Sequence, residues 1–316
     1  MTVEANVNEL LWVQKYRPRK VVDTILPAQT KAQFQKFVDD ENVPNLLLAG
    51  LPGTGKTTAA KAMLEQLGCD FIVINGSLNM GIDVLRHQVS IFASSVSFAG
   101  GRKYVIIDEA DGLSGQVQGA LRNFIEEFSR NCGFIFTCNY KNKISDALRS
   151  RLSLVDFTID KAEKPVLAGQ FFKRVLQILK LENVEADKAA VAKVIERHFP
   201  DFRRVLNELQ KYAGSGKIDE GIFTDVSQET IDDLFGLLKA KKFTEMRAWV
   251  AANSDQDATE LFRRIYDAST EKVELKSMPA LVVMLADYMY KHAFVADPEI
   301  NLVAFLTEIM MEVSFR

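Results

Sequence analysis

One eight-residue stretch constrains this chain more than any other: Gly50-Leu51-Pro52-Gly53-Thr54-Gly55-Lys56-Thr57. Leu46-Leu47-Leu48-Ala49 before it is an apolar run of strand length, and Thr57 to Leu67 after it carries a helical pattern. Strand, glycine-rich turn and helix in that order make a phosphate cradle. The glycines let backbone N–H groups turn inward, and the helix N-terminus adds a favourable dipole. In such a loop Lys56 reaches the β- and γ-phosphates, and Thr57 places its hydroxyl on Mg²⁺.

The rest of the first half repeats this alternation. Phe71-Ile72-Val73-Ile74, Tyr104-Val105-Ile106-Ile107, Phe134-Ile135-Phe136-Thr137 and Leu154-Val155-Asp156-Phe157 read as further strands. The first four of the five strands are nearly continuous apolar runs, the pattern of a parallel sheet covered on both faces. Helical patterns lie between them over 57–67, 83–94, 114–128 and 145–150, so the fold class is α/β with a doubly wound sheet. After about Asp160 the strands are expected to stop. Pro165 opens a helix to about Leu181, and helices follow over 187–197 and 201–212. Gly214-Ser215-Gly216 interrupts, and a small helical domain ends near Val226. Helical patterns then cover 229–240, 243–253, 255–270, 279–294 and 298–315. In the last, Ile300, Val303, Ala304, Phe305, Leu306, Ile309, Met310 and Val313 form a broad apolar face, which suits either core packing or a subunit contact. The expected division is 1–160, 161–226 and 227–316.

Composition narrows the class. With 316 residues, 47% hydrophobic and 26% charged, the chain reads as an ordinary globular protein of more than one domain. No run approaches the roughly 20 apolar residues that a bilayer requires. The polar start, Met1 to Glu9, resembles no targeting signal, so a cytoplasmic location is expected, without a membrane partner. Cys69, Cys132 and Cys138 lack metal-site spacing and read as free thiols, and His87, His198 and His292 are too scattered for zinc. A net charge of −3 disfavours a lone nucleic-acid binder, though not one that gathers a few cations on the inner surface of an assembly.

Four further features belong with the phosphate loop. Asp108-Glu109 follows the strand 104–107, at the end where ligands bind in open α/β sheets. Asp108 suits the Mg²⁺ shell, and Glu109 can polarise an attacking water, which separates hydrolysis from simple binding. Asn139 ends the next strand, where an amide can orient that water or sense the γ-phosphate. Arg151, in Ser150-Arg151, is either a surface cation or an arginine finger aimed at a neighbour's γ-phosphate. Arg203 and Arg204 begin a helix of the second domain, where one can fold back onto the nucleotide or both can face solvent.

The order of these motifs resembles the clamp-loader branch of the AAA+ ATPases: Trp12-Val13-Gln14-Lys15-Tyr16-Arg17-Pro18, the phosphate loop, Asp108-Glu109-Ala110-Asp111, Gln118-x-Ala120-Leu121-Arg122, Asn139, Ser150-Arg151 and Phe202-Arg203-Arg204-Val205-Leu206-Asn207. The resemblance spans about residues 10–212. Ile25-Leu26-Pro27-Ala28 and Phe199-Pro200-Asp201-Phe202-Arg203 are most similar to the large ATPase subunits of T-even-type phage clamp loaders, with the small subunits of replication factor C next. It implies a RecA-like AAA+ domain, a small helical lid and an all-helical collar that oligomerises. Val13, Gln14, Lys15, Tyr16 and Ile25 would hold the adenine side, and Gly53, Thr54, Gly55, Lys56, Thr57 and Thr58 the phosphates. Thr57 and Asp108 would hold the metal and Glu109 would be the base. Asn139 would be sensor 1, Arg203 sensor 2 and Arg151 the finger in trans. Arg86 and Arg122 would touch DNA phosphates. Leu152 stands where the family usually has cysteine, and Asn123 where it has a second arginine.

The resemblance implies an ATPase that opens a sliding clamp and loads it onto primer–template DNA. Its partners would be the clamp, the DNA, copies of itself and a non-identical subunit, in a pentamer. A helicase loader or other AAA+ remodelling motor, an ATP-binding scaffold without turnover and a P-loop small-molecule kinase are the alternatives.

Overall fold

Strands form where the apolar runs stand. The computed structural model describes residues 11–77, 82–95, 101–214, 216–219, 228–253, 258–292, 294–295 and 297–316. Two compact units divide the chain, Met1–Glu220 and Gly221–Arg316. In the first, β1 (Leu46–Ala49), β2 (Phe71–Asn75), β3 (Lys103–Asp108), β4 (Cys132–Cys138) and β5 (Ser153–Asp156) make one parallel sheet, ordered β2-β3-β4-β1-β5. β1 lies between β4 and β5, with Leu46 opposite Ile135 and Ser153. The C-terminal ends of β1, β3 and β4 therefore open side by side.

Side chains alternate between the two faces along each strand. Leu46, Leu48, Ile106 and Ile135 pack with Phe34 of α2 (Ala28–Asp39) and with Ala60, Met63 and Leu64 of α3 (Lys56–Gln66). On the other face Leu47, Val105, Ile107, Phe134 and Phe136 pack with Leu85 and Val89 of α4 (Ile82–Ser94) and with Leu121, Phe124 and Ile125 of α5 (Gly115–Glu127). Burial of each of these side chains larger than alanine contributes about 1.5–3 kcal/mol. The doubly covered sheet holds for β1, β3 and β4. It fails for β2, where only Ile74 is buried and Val73 is 40% exposed, because an edge strand lies beyond the middle of the helix layer. A short helix, α1 (Trp12–Lys15), precedes α2, and another, α6 (Asp146–Arg149), joins β4 to β5.

The same unit continues into α7 (Lys164–Leu181), α8 (Lys188–His198) and α9 (Phe202–Ala213). Pro165 lies in the first turn of α7, as expected. Asp187 and Asp201 prove to be caps rather than first helical residues: their carboxylates accept from Ala189 N at 2.9 Å and Arg204 N at 3.0 Å. Strands also do not stop after Asp160. β6 (Glu185–Ala186) pairs in parallel with β7 (Lys217–Ile218), a ladder too short to show a period in sequence.

The second unit, taken by itself, contains α10 (Gln228–Lys239), α11 (Phe243–Ala252), α12 (Ala258–Lys272), α13 (Met278–His292) and α14 (Pro298–Glu312). Its core includes Leu234, Val250, Phe262, Leu281, Phe305 and Ile309, with the Phe262 and Phe305 rings 5.0 Å apart. The broad face expected on the last helix splits in two. Phe305, Leu306, Ile309, Met310 and Val313 are buried, whereas Ile300 is 67% exposed and Ala304 faces solvent.

Candidate active site

The phosphate loop leaves β1 and closes onto the N-terminus of α3. Gly53 at φ +72° and Gly55 at φ +90° take left-handed conformations that strain any residue with a Cβ. Gly53 is constrained twice, since a Cβ there would lie 1.8 Å from Asp201 Oδ1 and 3.0 Å from Asp201 Cα. Phe202 N also donates to Gly53 O at 3.1 Å, so the start of α9 lies directly on the loop.

Lys56 and Thr57, both expected on the phosphate side, find side-chain partners there. Lys56 is buried, and its Nζ donates to Gly50 O at 2.7 Å, Leu51 O at 2.8 Å and Asn139 Oδ1 at 3.0 Å. Burial lowers its pKa from the ordinary lysine value. Thr57 Oγ1 donates to Asp108 Oδ1 at 2.7 Å, which brings the two residues expected to hold metal together. Glu109 is exposed on the cleft at φ +55°, a conformation that costs a non-glycine residue about 1–3 kcal/mol and clusters at functional sites. Thr54 differs from the rest of the loop: it is buried, and its hydroxyl donates to Leu51 O, which leaves only its backbone for a phosphate.

Two supporting residues stand beside the motif residues, and sequence reasoning assigns neither a role. Thr137, buried at the end of β4, donates to Asp108 Oδ1 at 2.5 Å and accepts from Glu109 N at 3.1 Å. Asp111 Oδ2 accepts from Asn139 N and Tyr140 N, each at 3.2 Å, and so fixes the turn that presents Asn139. The only signal of either in the sequence is its position next to residues of recognisable chemistry.

Across the cleft, α1 forms the other wall. Trp12 N donates to Gln210 Oε1 of α9 at 2.9 Å. Glu182, at the C-terminal cap of α7, accepts from Lys15 Nζ at 2.8 Å and Tyr16 Oη at 2.5 Å. Those bonds, Lys15 first, hold the Glu182 carboxyl below the ordinary carboxylate range. Val13, Gln14, Lys15, Tyr16 and Ile25 line one cleft of about 1670 Å³ with Gly53, Gly55, Lys56, Thr57, Thr58, Asp108, Glu109, Asn139 and Arg203. Arg17 joins them, a residue that sequence reasoning misses. Burial, and then the nearby Arg203 cation, lower its pKa, against the opposing pull of Asp108 and Glu65. Among the described residues nothing accepts from its buried Nε. Arg17, Lys56 and Arg203 are among seven lysines and arginines that border the cleft, with Lys15, Arg19, Lys61 and Arg174, and the loop offers backbone N–H groups, an arrangement that suits a polyphosphate.

Three expected residues lie elsewhere. Arg151 does not line the cleft of its own chain but pairs with Glu126 at the surface. Arg86 is exposed on α4, with its guanidinium 6.0 Å from the Phe124 ring of α5, and Arg122 follows Leu121 on α5.

Comparison with known proteins fits this site to a family. The description "ATPase family associated with various cellular activities (AAA)" matches residues 46–161, and "Sliding-clamp-loader large subunit, AAA+ ATPase lid domain" matches 163–224. The sliding-clamp-loader large subunit of Escherichia phage RB69 is 32% identical over 99% of this chain and 100% of its own length. The chain belongs to the AAA+ clamp-loader ATPase family. The corresponding subunit of Enterobacteria phage T4 is also 32% identical over 99% of the chain, and the replication factor C small subunit of Sulfurisphaera tokodaii 34% over 95%. Among solved structures, the Thermotoga maritima RuvB Holliday junction branch migration motor superposes with TM-score 0.53 over 73% of this chain and 84% of its own, at 17% identity, which establishes the shared AAA+ fold. The family and its ATPase domain make the chain a nucleotide-binding ATP hydrolase. Among the described residues no helix is long and apolar enough to cross a membrane.

Proposed function

We infer that this chain is the ATPase subunit of a DNA sliding-clamp loader, acting in the cytoplasm. The observation that carries the reading is the end-to-end match, including the lid, to sliding-clamp-loader large subunits. It favours a loader over the helicase-loader, scaffold and kinase alternatives. The proposed parts are a AAA+ domain over 1–160, a lid over 161–226 and a collar over 227–316 that assembles copies of the chain with a non-identical subunit into a pentamer. The exposed Val283, Tyr290 and Ile300 supply apolar surface for such a collar contact.

In this reading α1 and Ile25 hold the adenine, and the phosphate loop and Lys56 hold the triphosphate. Thr57 and Asp108, already hydrogen-bonded to each other, are the donors for Mg²⁺, which neutralises phosphate charge when bound. Glu109 takes a proton from the attacking water. Asn139, fixed by Asp111 and bonded to Lys56, orients that water or reads the γ-phosphate. Arg203 reports from α9, whose first residue is bonded to the loop at Gly53. Arg151 completes the neighbouring subunit's site, and Arg86 and Arg122 meet DNA phosphates. Binding of ATP draws lid, loop and neighbour together around an opened clamp and primed DNA, and hydrolysis releases both.

The test is steady-state ATP hydrolysis by the complete complex with and without clamp plus primed DNA. Stimulation by both is expected, and its absence refutes the loader reading. Glu109→Gln should bind ATP and clamp without turning over.

A further inference from the structure

We propose that Glu126 positions Arg151 for its work on the neighbouring nucleotide. The two residues are 25 apart in sequence, on α5 and just beyond α6, and they meet through a side-on pair. Arg151 Nε donates to Glu126 Oε1 at 2.7 Å, and one terminal nitrogen, Nη2, lies 2.6 Å from the same oxygen. The other, Nη1, donates to Ala147 O in α6 at 2.7 Å and has a long contact of 3.5 Å with Ser150 Oγ. A guanidinium carries five N–H donors in a rigid planar fork. Two of them go to Glu126 and one to Ala147. Nη2 retains one proton, and the second proton of Nη1 is held only by the long Ser150 contact. The end of the fork, with one such proton on each terminal nitrogen, is the edge that receives two phosphate oxygens.

Stability does not account for this pair. Arg151 and Glu126 side chains are 34% and 58% exposed, and exposed ion pairs contribute little to folding. Glu126 is also the second-last residue of α5, where an acid opposes the helix dipole. What the carboxylate does is select one rotamer of a long side chain that otherwise samples many. It grips the edge beside Nε and leaves the outer edge to the partner. Holding a catalytic cation near its productive geometry before the phosphate arrives raises the rate without adding an interaction to the ground state. Glu126 is therefore a positioning residue. It acts through Arg151 and does not line the cleft of its own chain.

The proposal rests on the trans-finger reading of Arg151, and the experiment separates the two. ATP hydrolysis is measured on the assembled complex, with partner subunit, clamp and primed DNA, for Glu126→Ala, Glu126→Gln, Arg151→Ala and the Glu126→Ala/Arg151→Ala double variant. Glu126→Ala should lower kcat about tenfold, equivalent to about 1.4 kcal/mol, and leave KM for ATP within about twofold. Glu126→Gln keeps one acceptor oxygen and should fall between Glu126→Ala and the native chain. In single turnover, the double variant should be no slower than Arg151→Ala alone, since there is no finger left to position. The melting temperature should not move. An unchanged or raised kcat in Glu126→Ala, or an equal fold-loss on the Arg151→Ala background, overturns the positioning role. If Arg151→Ala itself hydrolyses normally, the finger assignment fails and the proposal with it. If Arg151→Ala is inactive while Glu126→Ala is unaffected, the finger stands and only this proposal falls.

Discussion

Replacing Thr137 by valine removes one hydroxyl and leaves the volume of a buried side chain almost unchanged. That hydroxyl donates its only proton to Asp108 Oδ1 at 2.5 Å and accepts from Glu109 N at 3.1 Å, so it couples the acid proposed to hold Mg²⁺ to the backbone of the proposed base. A hydrogen bond to a charged group contributes about 1.5–3 kcal/mol and a neutral one about 1 kcal/mol. The expected loss is about 2–4 kcal/mol, or roughly 4–16 °C in melting temperature for a unit of this size. The catalytic effect should exceed what instability explains. Asp108 keeps Thr57 but loses its second anchor, and Glu109 N loses its acceptor while Glu109 O still accepts from Gly112 N. Removing a supporting hydrogen bond of this kind typically costs about 10–100-fold in activity or metal affinity. The assay is steady-state ATP hydrolysis across a Mg²⁺ titration, well below the melting point, with Thr137→Ser as the variant that restores the hydroxyl. A fall in kcat, a higher Mg²⁺ requirement and rescue by serine are expected. If Thr137→Val lowers the melting point while both kinetic quantities stay within about twofold of native, the hydroxyl supports folding alone and the argument is refuted.

Other outcomes follow from the same geometry. Gly53→Ala places a methyl group against Asp201 at a left-handed φ, so it should weaken ATP binding at least tenfold, and a native dissociation constant would show that loop and lid separate freely. Burial raises the pKa of Glu208, but the hydrogen bond and charge of His198, with the Arg197 charge and the Tyr212 hydrogen bond, together outweigh it and the net shift is downward; its stabilisation is present above the unfolded value of about 4.3 and lost as pH falls below that. Glu208→Gln should therefore flatten the acid limb of the unfolding curve below about pH 4.3, and an unaltered limb contradicts the assignment. Arg86→Ala and Arg122→Ala should each weaken DNA binding by the loader without regard to sequence. Each should also reduce the slope of log affinity against log salt by about 1 for every phosphate the arginine neutralises. A change in sequence preference, or an unchanged slope, counts against phosphate binding by these side chains.

The sheet was legible because its strands are local. Leu46–Ala49 and Phe134–Thr137 are apolar on both faces and flanked by turns, so a period and a length sufficed. Local patterns fail where tertiary position decides. Phe71–Ile74 has the same composition as a central strand, yet it lies at the edge, because strand order depends on pairings that no local pattern records. Glu185–Ala186 became a strand only because Lys217–Ile218 arrives beside it. Asp187 and Asp201 read as helical but cap, since one residue of backbone conformation separates the two roles.

The residues proposed for catalysis are set by sequence in kind and by structure in relation. Gly53, Lys56, Thr57, Asp108, Glu109 and Asn139 could be named because phosphate chemistry admits few residue types at the ends of strands, and a short motif carries that requirement whole. Sequence could not show that Thr137 joins Asp108 to Glu109, that Asp111 fixes the turn at Asn139, that Arg17 belongs among the cations of the cleft, or that Glu126 holds Arg151. Each of these brings together segments roughly 25 to 190 residues apart, and its energy depends on a spatial proximity that only the packed sheet and lid create. The chain's own order of residues decided which chemistry is present; the fold decided which groups are close enough to share it.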